Sequence, residues 1–426
     1  MELWLDRAAR ERPDAAAVNG ISYAELDSMA TEWAERLAHS GIGSGDRVAT
    51  TLTGVPFAVL LHALPKLGAF IVPVNTRFTE DERAAVIRDA GTVAIIDAPP
   101  KPGDMDAARR SEADPPLRSE ADPGEPFAVI YTSGTTGAPK PVELTYGNFA
   151  ASAEANAANL GVEPDDRWLC CMPLFHVGGL SILTRSAIYG TEAVVHDGFD
   201  VDAVRTALEN ERITLVSLVA TQLRRLLDVG LERPPGLRAA LIGGGQVPHD
   251  LLDRAAERGI PAIPTYGMTE TCSQIWTGKP LPGVEIRASE DGELLVRGPM
   301  VAPGAIADDG WLHTGDRGSI DADGTLHVEG RIADTIVTGG ENVSATEVEE
   351  ALLAHPAVED AAVVGRPDPE WGEAVVAFVV ADGATDDELL SHCRDRLAGY
   401  KIPKAVRRIG QIPRNAAGKV VRGQLP

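Results

Sequence analysis

Cysteine is scarce: Cys170, Cys171, Cys272 and Cys393 are the four in 426 residues. None stands in a C-x-x-C spacing, so neither a zinc site nor a disulfide framework is indicated and reduced thiols are expected. No apolar run approaches the roughly 18 residues a membrane-spanning helix needs, which excludes membrane insertion by that route. The start, Met1-Glu-Leu-Trp-Leu-Asp6, lacks the charged-then-apolar order of a signal peptide, so the expected location is cytoplasmic. Lysine is sparse beside arginine, and 63 acidic residues outweigh 39 basic ones to give a net charge of −24. That balance argues against a nucleic-acid or anionic-membrane partner. It is equally awkward for an anionic small ligand. Two origins fit it: an ordinary acidic surface from a high-GC genome, or a salt-rich cytoplasm, where the Debye length falls to about 3 Å at 1 M and long-range repulsion fades.

A chain of this length is too long for one ordinary core, and two or more domains are expected. Ser22-Tyr-Ala-Glu25 and Thr79-Glu-Asp-Glu82 are capping boxes that open helices. Between and after them, Arg47-Val-Ala-Thr-Thr-Leu52, Phe70-Ile-Val-Pro-Val74 and Val93-Ala-Ile-Ile-Asp97 read as short strands. Trp168-Leu-Cys-Cys-Met172, Thr214-Leu-Val-Ser-Leu-Val219, Leu237-Arg-Ala-Ala-Leu-Ile242 and Pro261-Ala-Ile-Pro-Thr265 continue the alternation, which predicts α/β architecture with doubly wound parallel sheets. Residues 98–126, rich in Pro, Asp, Glu, Ala and Arg, read as a surface connection. Beyond residue 285, short alternating strands with Asp-Gly turns predict a small antiparallel β-subdomain that closes a large domain, residues 1–330. Residues 331–426 predict a compact α+β domain, with helices capped by Ser344 and Thr385.

The richest stretch is Tyr131-Thr-Ser-Gly-Thr-Thr-Gly-Ala-Pro-Lys140, entered from the apolar strand Phe127-Ala-Val-Ile-Tyr131. Its glycines allow close backbone approach, its N–H groups and hydroxyls suit phosphate oxygens, and Lys140 adds a point charge. The common nucleotide loop is excluded, because Pro139 stands where G-x-x-x-x-G-K-[S/T] requires glycine. Four further motifs follow in order: Tyr266-Gly-Met-Thr-Glu270, Gly310-Trp-Leu-His-Thr-Gly-Asp316, Gly330-Arg-Ile-Ala-Asp-Thr-Ile-Val-Thr-Gly-Gly-Glu-Asn342 and Pro413-Arg-Asn-Ala-Ala-Gly-Lys419. Together these five resemble the acyl-adenylate-forming superfamily of acyl- and aryl-CoA synthetases, nonribosomal adenylation domains and luciferases. Within it, Met172-Pro-Leu-Phe-His-Val-Gly-Gly-Leu-Ser-Ile-Leu183 and Thr145-Tyr-Gly-Asn148 are most similar to the o-succinylbenzoate–CoA ligases of menaquinone synthesis.

The resemblance implies a reaction in two steps and a role for each motif. A carboxylate attacks the α-phosphorus of ATP to give an acyl-adenylate, and CoA then displaces AMP. Thr132, Ser133, Gly134, Thr135, Thr136, Gly137 and Lys140 would hold phosphates. Gly243, Gly244 and Gly245 would lie against adenine and the acyl group, with Tyr266 stacked on the base. Thr269 would donate to the α-phosphate and Glu270 would hold Mg²⁺, whose oxygen ligands suit a carboxylate. Asp316 would accept both ribose hydroxyls and Arg331 would donate to the same sugar. Lys419, the residue with the strongest claim to catalysis, would bridge carboxylate and phosphate. It would ride on a mobile C-terminal domain hinged at Arg331-Ile-Ala-Asp334, and Gly339 and Gly340 would line the thiol tunnel once that domain swings.

A lone histidine in an apolar run is ordinarily a packed or capping residue. The resemblance instead places His176 near the reacting carboxylate, in the floor of the acyl pocket. Three positions depart from the superfamily pattern. Pro141 replaces a glycine and removes a backbone donor. Tyr146 replaces the histidine of many acyl-CoA synthetases, and Ala333 replaces Asp or Lys at the hinge. The expected partners are a small carboxylic acid, ATP with Mg²⁺, and CoA, and a homo-oligomer is left open. Rival readings are a ligase for another aryl or acyl carboxylate, an adenylation module that loads a carrier protein, and a non-catalytic binding protein.

Overall fold

The computed structural model describes residues 1–100, 116–133, 139–245, 247–414 and 420–426. The chain divides into two compact units, residues 1–285 with 297–310, and residues 286–296 with 311–426. The expected boundary at residue 331 therefore falls inside the second unit.

Two sheets dominate the first unit. One runs, in spatial order, Ala262–Pro264, Ala239–Gly243, Leu215–Val219, Arg167–Cys170, Glu192–Val195, Ala16–Val18 and Ile21–Ser22. Its strands pair in parallel except for the last two, which form a hairpin. The other runs Ala94–Ile96, Arg47–Thr50, Phe70–Pro73, Pro126–Ser133 and Pro139–Thr145. It too is parallel until its final antiparallel pair. Parallel strands need both faces covered, and the sequence supplies near-continuous apolar runs for that burial. All four residues of Glu192–Val195 and of Phe70–Pro73 are buried.

Four helices begin where their capping residues specify. Ser22 with Glu25, Thr79 with Glu82, Thr145 with Asn148 and Thr385 with Glu388 each form a reciprocal capping box. The helix Gly54–Leu67 carries a buried cation, Lys66, whose ammonium donates to Asp6 at 2.6 Å and to Asp27 at 2.8 Å. That triad ties the first three helices together around one charge.

The strand Pro139–Thr145 has no counterpart in the sequence reading. It holds the edge of its sheet, and Pro139 and Pro141 remove donors that would otherwise invite further pairing. Pro141 stands on the strand itself, in register with Tyr131, and not within residues 134–138.

The second unit is built on an antiparallel sheet formed by residues 286–296 and 311–331, followed by a five-stranded sheet with two helices. In the latter, Val358–Asp368 and Gly372–Ala381 form a long hairpin over a core that includes Val363, Val375, Ala377, Leu389 and Cys393. The helix Ala345–Leu353 buries Glu349 and half-buries Glu350. Burial, reinforced by Glu347, pushes Glu350 up to about 7 from its ordinary 4.5. The fold thus favours its neutral form, so its contribution to stability is full below about pH 4.5 and is lost as pH rises through about 7. Glu350→Gln is expected to melt above the unsubstituted protein at pH 8 and level with it at pH 4.5. Equal melting temperatures at both pH values would contradict the burial argument.

Candidate active site

Three of the motifs emerge at one edge of the seven-stranded sheet, the carboxyl ends of its parallel strands. Met172–His176 follow Arg167–Cys170, Gly243–Gly245 close Ala239–Gly243, and Tyr266–Glu270 follow Ala262–Pro264. Open α/β sheets bind ligands at this edge, because the loops there converge while the strands fix their spacing. A cavity of about 170 Å³ lies beside it, lined by Thr50, Thr53, Arg77, Phe175, His196 and Asp197 among others. Asp197 and its neighbours follow Glu192–Val195, and Thr53 and Arg77 follow strands of the second sheet, so the cavity gathers strand ends from both. Sequence reading gave a site role to none of these except the 172–176 segment. Their signal is position alone, just beyond the carboxyl ends of predicted strands.

Geometry explains the glycines. Gly267, inside the Tyr-Gly-Met-Thr-Glu motif, faces Gln274 across a two-stranded ladder, and a Cβ there would lie 2.1 Å from the Ser273 carbonyl oxygen. Gly243 sits so close to Thr265 that a Cβ would meet its Oγ1 at 2.4 Å. Gly244 adopts φ +77°, a conformation glycine takes without strain. Only Gly245 of the three faces open space, with nothing within 4 Å of an added Cβ.

Thr269 and Glu270 lie on a single 3-10 turn, Thr269–Thr271, and both are half-buried. The turn is closed by the Cys272 N–H donating to the Thr269 carbonyl at 3.0 Å and anchored by the Ala302 N–H donating to the Glu270 carbonyl at 2.7 Å. Both side chains thus start from a fixed backbone. Among the described residues no group of three or more His, Cys, Asp or Glu is placed to hold an ion by itself. A single carboxylate beside a hydroxyl fits Mg²⁺ that arrives already bound to a triphosphate, since that ion keeps several other oxygen ligands.

The described ends of the phosphate-loop motif, Tyr131–Ser133 and Pro139–Lys140, lie on two strands that pair antiparallel. Thr132 pairs with Lys140 in register, and the Thr132 hydroxyl donates to the Lys140 carbonyl at 3.3 Å. Lys140 is exposed. Tyr131 donates its hydroxyl to Asp89 at 2.7 Å, and burial raises its pKa. The side chain of Ser133, the residues Gly134, Thr135, Thr136 and Gly137, and the catalytic candidate Lys419 lie outside the described residues.

Thr145 and Asn148 do more than cap. The Asn148 side-chain amide also donates to the carbonyls of Pro299 and Val301, both at 3.0 Å. Tyr146 is buried against Trp4 and Phe127, with ring centroids 5.4 and 5.0 Å away. The segment that suggested the closest resemblance therefore serves packing. His176 caps the helix Val177–Tyr189 through its backbone, and its ring packs on Phe175 at 4.6 Å. The Pro173–Gly179 turn is tight enough that a Cβ at Gly179 would lie 2.4 Å from the Pro173 carbonyl oxygen.

In the second unit, Asp316 and Arg331 are cross-strand partners, and the Arg331 Nε lies 2.9 Å from an Asp316 oxygen. Arg331 also donates to the Thr314 carbonyl at 2.7 Å, and the Thr314 hydroxyl receives the Asp316 N–H at 3.0 Å. This places a buried carboxylate and a half-buried guanidinium side by side. Gly339 and Gly340, at φ +60° and +85°, form the two-residue turn between Thr335–Thr338 and Glu341–Ser344. Positive φ at both central positions is the mark of a type I′ hairpin turn.

Residues 5–305 match the family model for AMP-binding enzymes, and residues 347–419 match that for the AMP-binding enzyme C-terminal domain. A 2-succinylbenzoate–CoA ligase of Bacillus cereus is 39% identical, with 100% of this chain and 98% of the relative covered. The aligned length of 473 exceeds the 426 residues here, so the relative carries residues this chain lacks. Among solved structures, o-succinylbenzoate CoA synthetase from Bacillus subtilis in complex with the acyl-adenylate intermediate OSB-AMP superposes with a TM-score of 0.92 at 34% identity, covering 100% of this chain and 98% of that one. The same enzyme in complex with ATP and magnesium ion gives 0.90 at 35%, covering 100% and 99%. Motif order, sheet edge and full-length likeness agree: this chain belongs to the AMP-binding enzyme family.

Proposed function

We propose that this chain is an AMP-forming acid–CoA ligase that converts o-succinylbenzoate to o-succinylbenzoyl-CoA. The observation that carries the substrate is the full-length likeness to an enzyme captured with OSB-AMP. A place in menaquinone synthesis follows from the same resemblance.

A carboxylate is a poor acylating agent because oxide leaves badly, so the reaction must first exchange that leaving group. A substrate carboxylate oxygen attacks the α-phosphorus, and the bond to pyrophosphate breaks. The CoA sulfur then attacks the carbonyl carbon of the adenylate and AMP departs. The first step crowds negative charge around phosphorus, so the protein's task is positioning and cationic stabilisation. Lys140 and the hydroxyls of the 132–136 stretch serve the outgoing phosphates, and Thr269 the α-phosphate. Glu270 would hold Mg²⁺, which would supply positive charge for the departing pyrophosphate. Asp316 and Arg331 take the ribose, Tyr266 and Gly245 the base, and His176 stands by the acyl carboxylate. Lys419 bridges the reacting oxygens.

The hinge belongs to the same proposal. Ile332–Asp334 is one short 3-10 turn with Ile332 and Ala333 exposed, so a small side chain meets little resistance to backbone rotation. A cytoplasmic setting suits an enzyme of ATP and CoA, and no helix among the described residues is long and apolar enough to cross a membrane. Homo-oligomerisation stays within the proposal as a property that gel filtration with light scattering reads directly.

The test is thioester formation by mass spectrometry, with ATP, Mg²⁺ and CoA supplied alongside o-succinylbenzoate, benzoate, a fatty acid or acetate, at low and molar KCl. Product only with o-succinylbenzoate is expected. AMP release with another acid would keep the chemistry and replace the substrate, and pyrophosphate without a CoA product would move the reading to carrier loading. Activity that falls steadily with KCl would remove the salt-adapted origin of the acidic surface.

A further inference from the structure

A buried cation lies behind the Thr269–Glu270 turn, and no step above uses it. Arg185, on the helix Val177–Tyr189, is 2% exposed. No carboxylate pairs with it among the described residues. Its Nη2 donates to the Ser152 hydroxyl at 2.8 Å and its Nη1 to the Gln274 side-chain oxygen at 3.2 Å. Its Nε is buried with no partner, and its guanidinium faces the Trp168 ring at 5.7 Å. Burial lowers its pKa. A guanidinium stripped of water and given only neutral acceptors is costly to keep.

What it holds is strained. Cys272 and Ser273, immediately after the turn, adopt φ +51° and +99°, consecutive left-handed positions without glycine. Such residues are strained and persist only where their surroundings over-determine them. Arg185 supplies that constraint twice. Ser152, which accepts from Arg185, donates to the Cys272 carbonyl at 2.9 Å. Gln274 accepts from both Arg185 and the Ser273 hydroxyl, the latter at 2.7 Å, while its amide donates to Asn156 at 2.7 Å. Ser152 and Asn156 lie on the helix Tyr146–Leu160, which follows the strand Pro139–Thr145. Arg185 itself lies on the helix that begins beside His176. One side chain thus joins the three segments that follow the phosphate, acyl and metal motifs.

We propose that Arg185 is a positioning residue for adenylation: acting through Ser152 and Gln274, it fixes the strained Cys272–Ser273 link and so aims Thr269 and Glu270 at the α-phosphate and its magnesium. This rests on the assignment of Thr269 and Glu270 made above. Lysine cannot reproduce the grip, because one ammonium replaces a fork that reaches two acceptors at once.

The test compares Arg185→Lys, Ser152→Ala and Glu270→Gln in the full chain. Pyrophosphate release is titrated against ATP and against Mg²⁺, with thermal melting in parallel. Displacement of catalytic groups by about 1 Å costs roughly 10²-fold. Arg185→Lys is accordingly expected to lose about that much in kcat/KM for ATP and to need more Mg²⁺ for half-maximal rate. Ser152→Ala, which keeps the buried charge but cuts the link to Cys272, is expected to shift both readouts in the same direction by less, and it decides the matter alone if Arg185→Lys does not fold. Variants that melt lower yet keep the original ATP and Mg²⁺ dependence would overturn the proposal and leave Arg185 a stability residue. Glu270→Gln separates the two levels. If it leaves the Mg²⁺ requirement unmoved, the assignment of the turn has failed. If it moves that requirement while the Arg185 and Ser152 variants do not, the positioning role alone has failed.

Discussion

Lys419→Ala is expected to lose acyl-adenylate formation by about 10²–10³-fold, the cost typical of removing one preorganised donor from developing oxyanion charge. It is also expected to leave thioester formation from a presynthesised adenylate close to normal. The asymmetry follows from where charge develops. In the first step two anionic groups meet, the substrate carboxylate and the triphosphate, and a cation between them lowers the barrier directly. In the second step the electrophile is already activated, AMP is a competent leaving group, and no new phosphorus–oxygen bond forms. The measurement is two separate assays on one preparation, pyrophosphate release without CoA and CoA capture of supplied adenylate. Equal loss in both would contradict the division of labour and make Lys419 a general binding residue.

Gly267→Ala is expected to be the most damaging single-methyl change in the first unit. Its Cβ would land 2.1 Å from the Ser273 carbonyl oxygen and 2.6 Å from the Gln274 Cα. Both are backbone atoms of the partner strand, so no rotamer change relieves the clash. The ladder Tyr266–Met268 with Ser273–Trp276 would have to separate, at a cost of about 3 kcal/mol by the usual penalty for overpacking. Thr269 and Glu270 continue directly from that ladder, so activity should fall further than stability, by at least about 10²-fold at a temperature where the variant is folded. Thermal melting and pyrophosphate release on the same sample separate the two effects. A variant with unchanged turnover would show that the Tyr-Gly-Met-Thr-Glu segment tolerates displacement and does not aim the phosphate chemistry.

Much of this arrangement was legible because local chemistry and tertiary structure agree. Helix starts at Ser22, Thr79 and Thr385 were readable from the reciprocal hydroxyl–carboxylate spacing that the structure then uses. The parallel strands announced themselves as short apolar runs between helices, and the carboxyl ends of three of them carried motifs. What stayed hidden was set by partners far along the chain. Leu312–Ile320 is a nine-residue strand, yet Gly315 and Gly318 make it read as a turn. Gly318 is in fact demanded by the His327 carbonyl oxygen, which would lie 2.3 Å from a Cβ. Pro139 and Pro141 masked an edge strand in the same way. Arg185 gave no signal at all, since one arginine in an apolar helix reads as a solvated position. Its burial depends on Gln274, 89 residues away. The Thr145-Tyr-Gly-Asn148 segment shows the converse, for its likeness to particular ligases pointed towards substrate while its atoms serve a cap, a loop anchor and an aromatic cluster.

The two-step route through an adenylate is the central claim, and a single-turnover experiment without CoA tests it most directly. Enzyme, ATP, Mg²⁺ and o-succinylbenzoate are mixed and quenched, and the nucleotide products are resolved by mass spectrometry. The predicted result is a burst of one pyrophosphate and one acyl-adenylate per active site, both stable until CoA is added and the adenylate is consumed with release of AMP. Appearance of ADP and inorganic phosphate, or absence of any product until CoA is present, would contradict it.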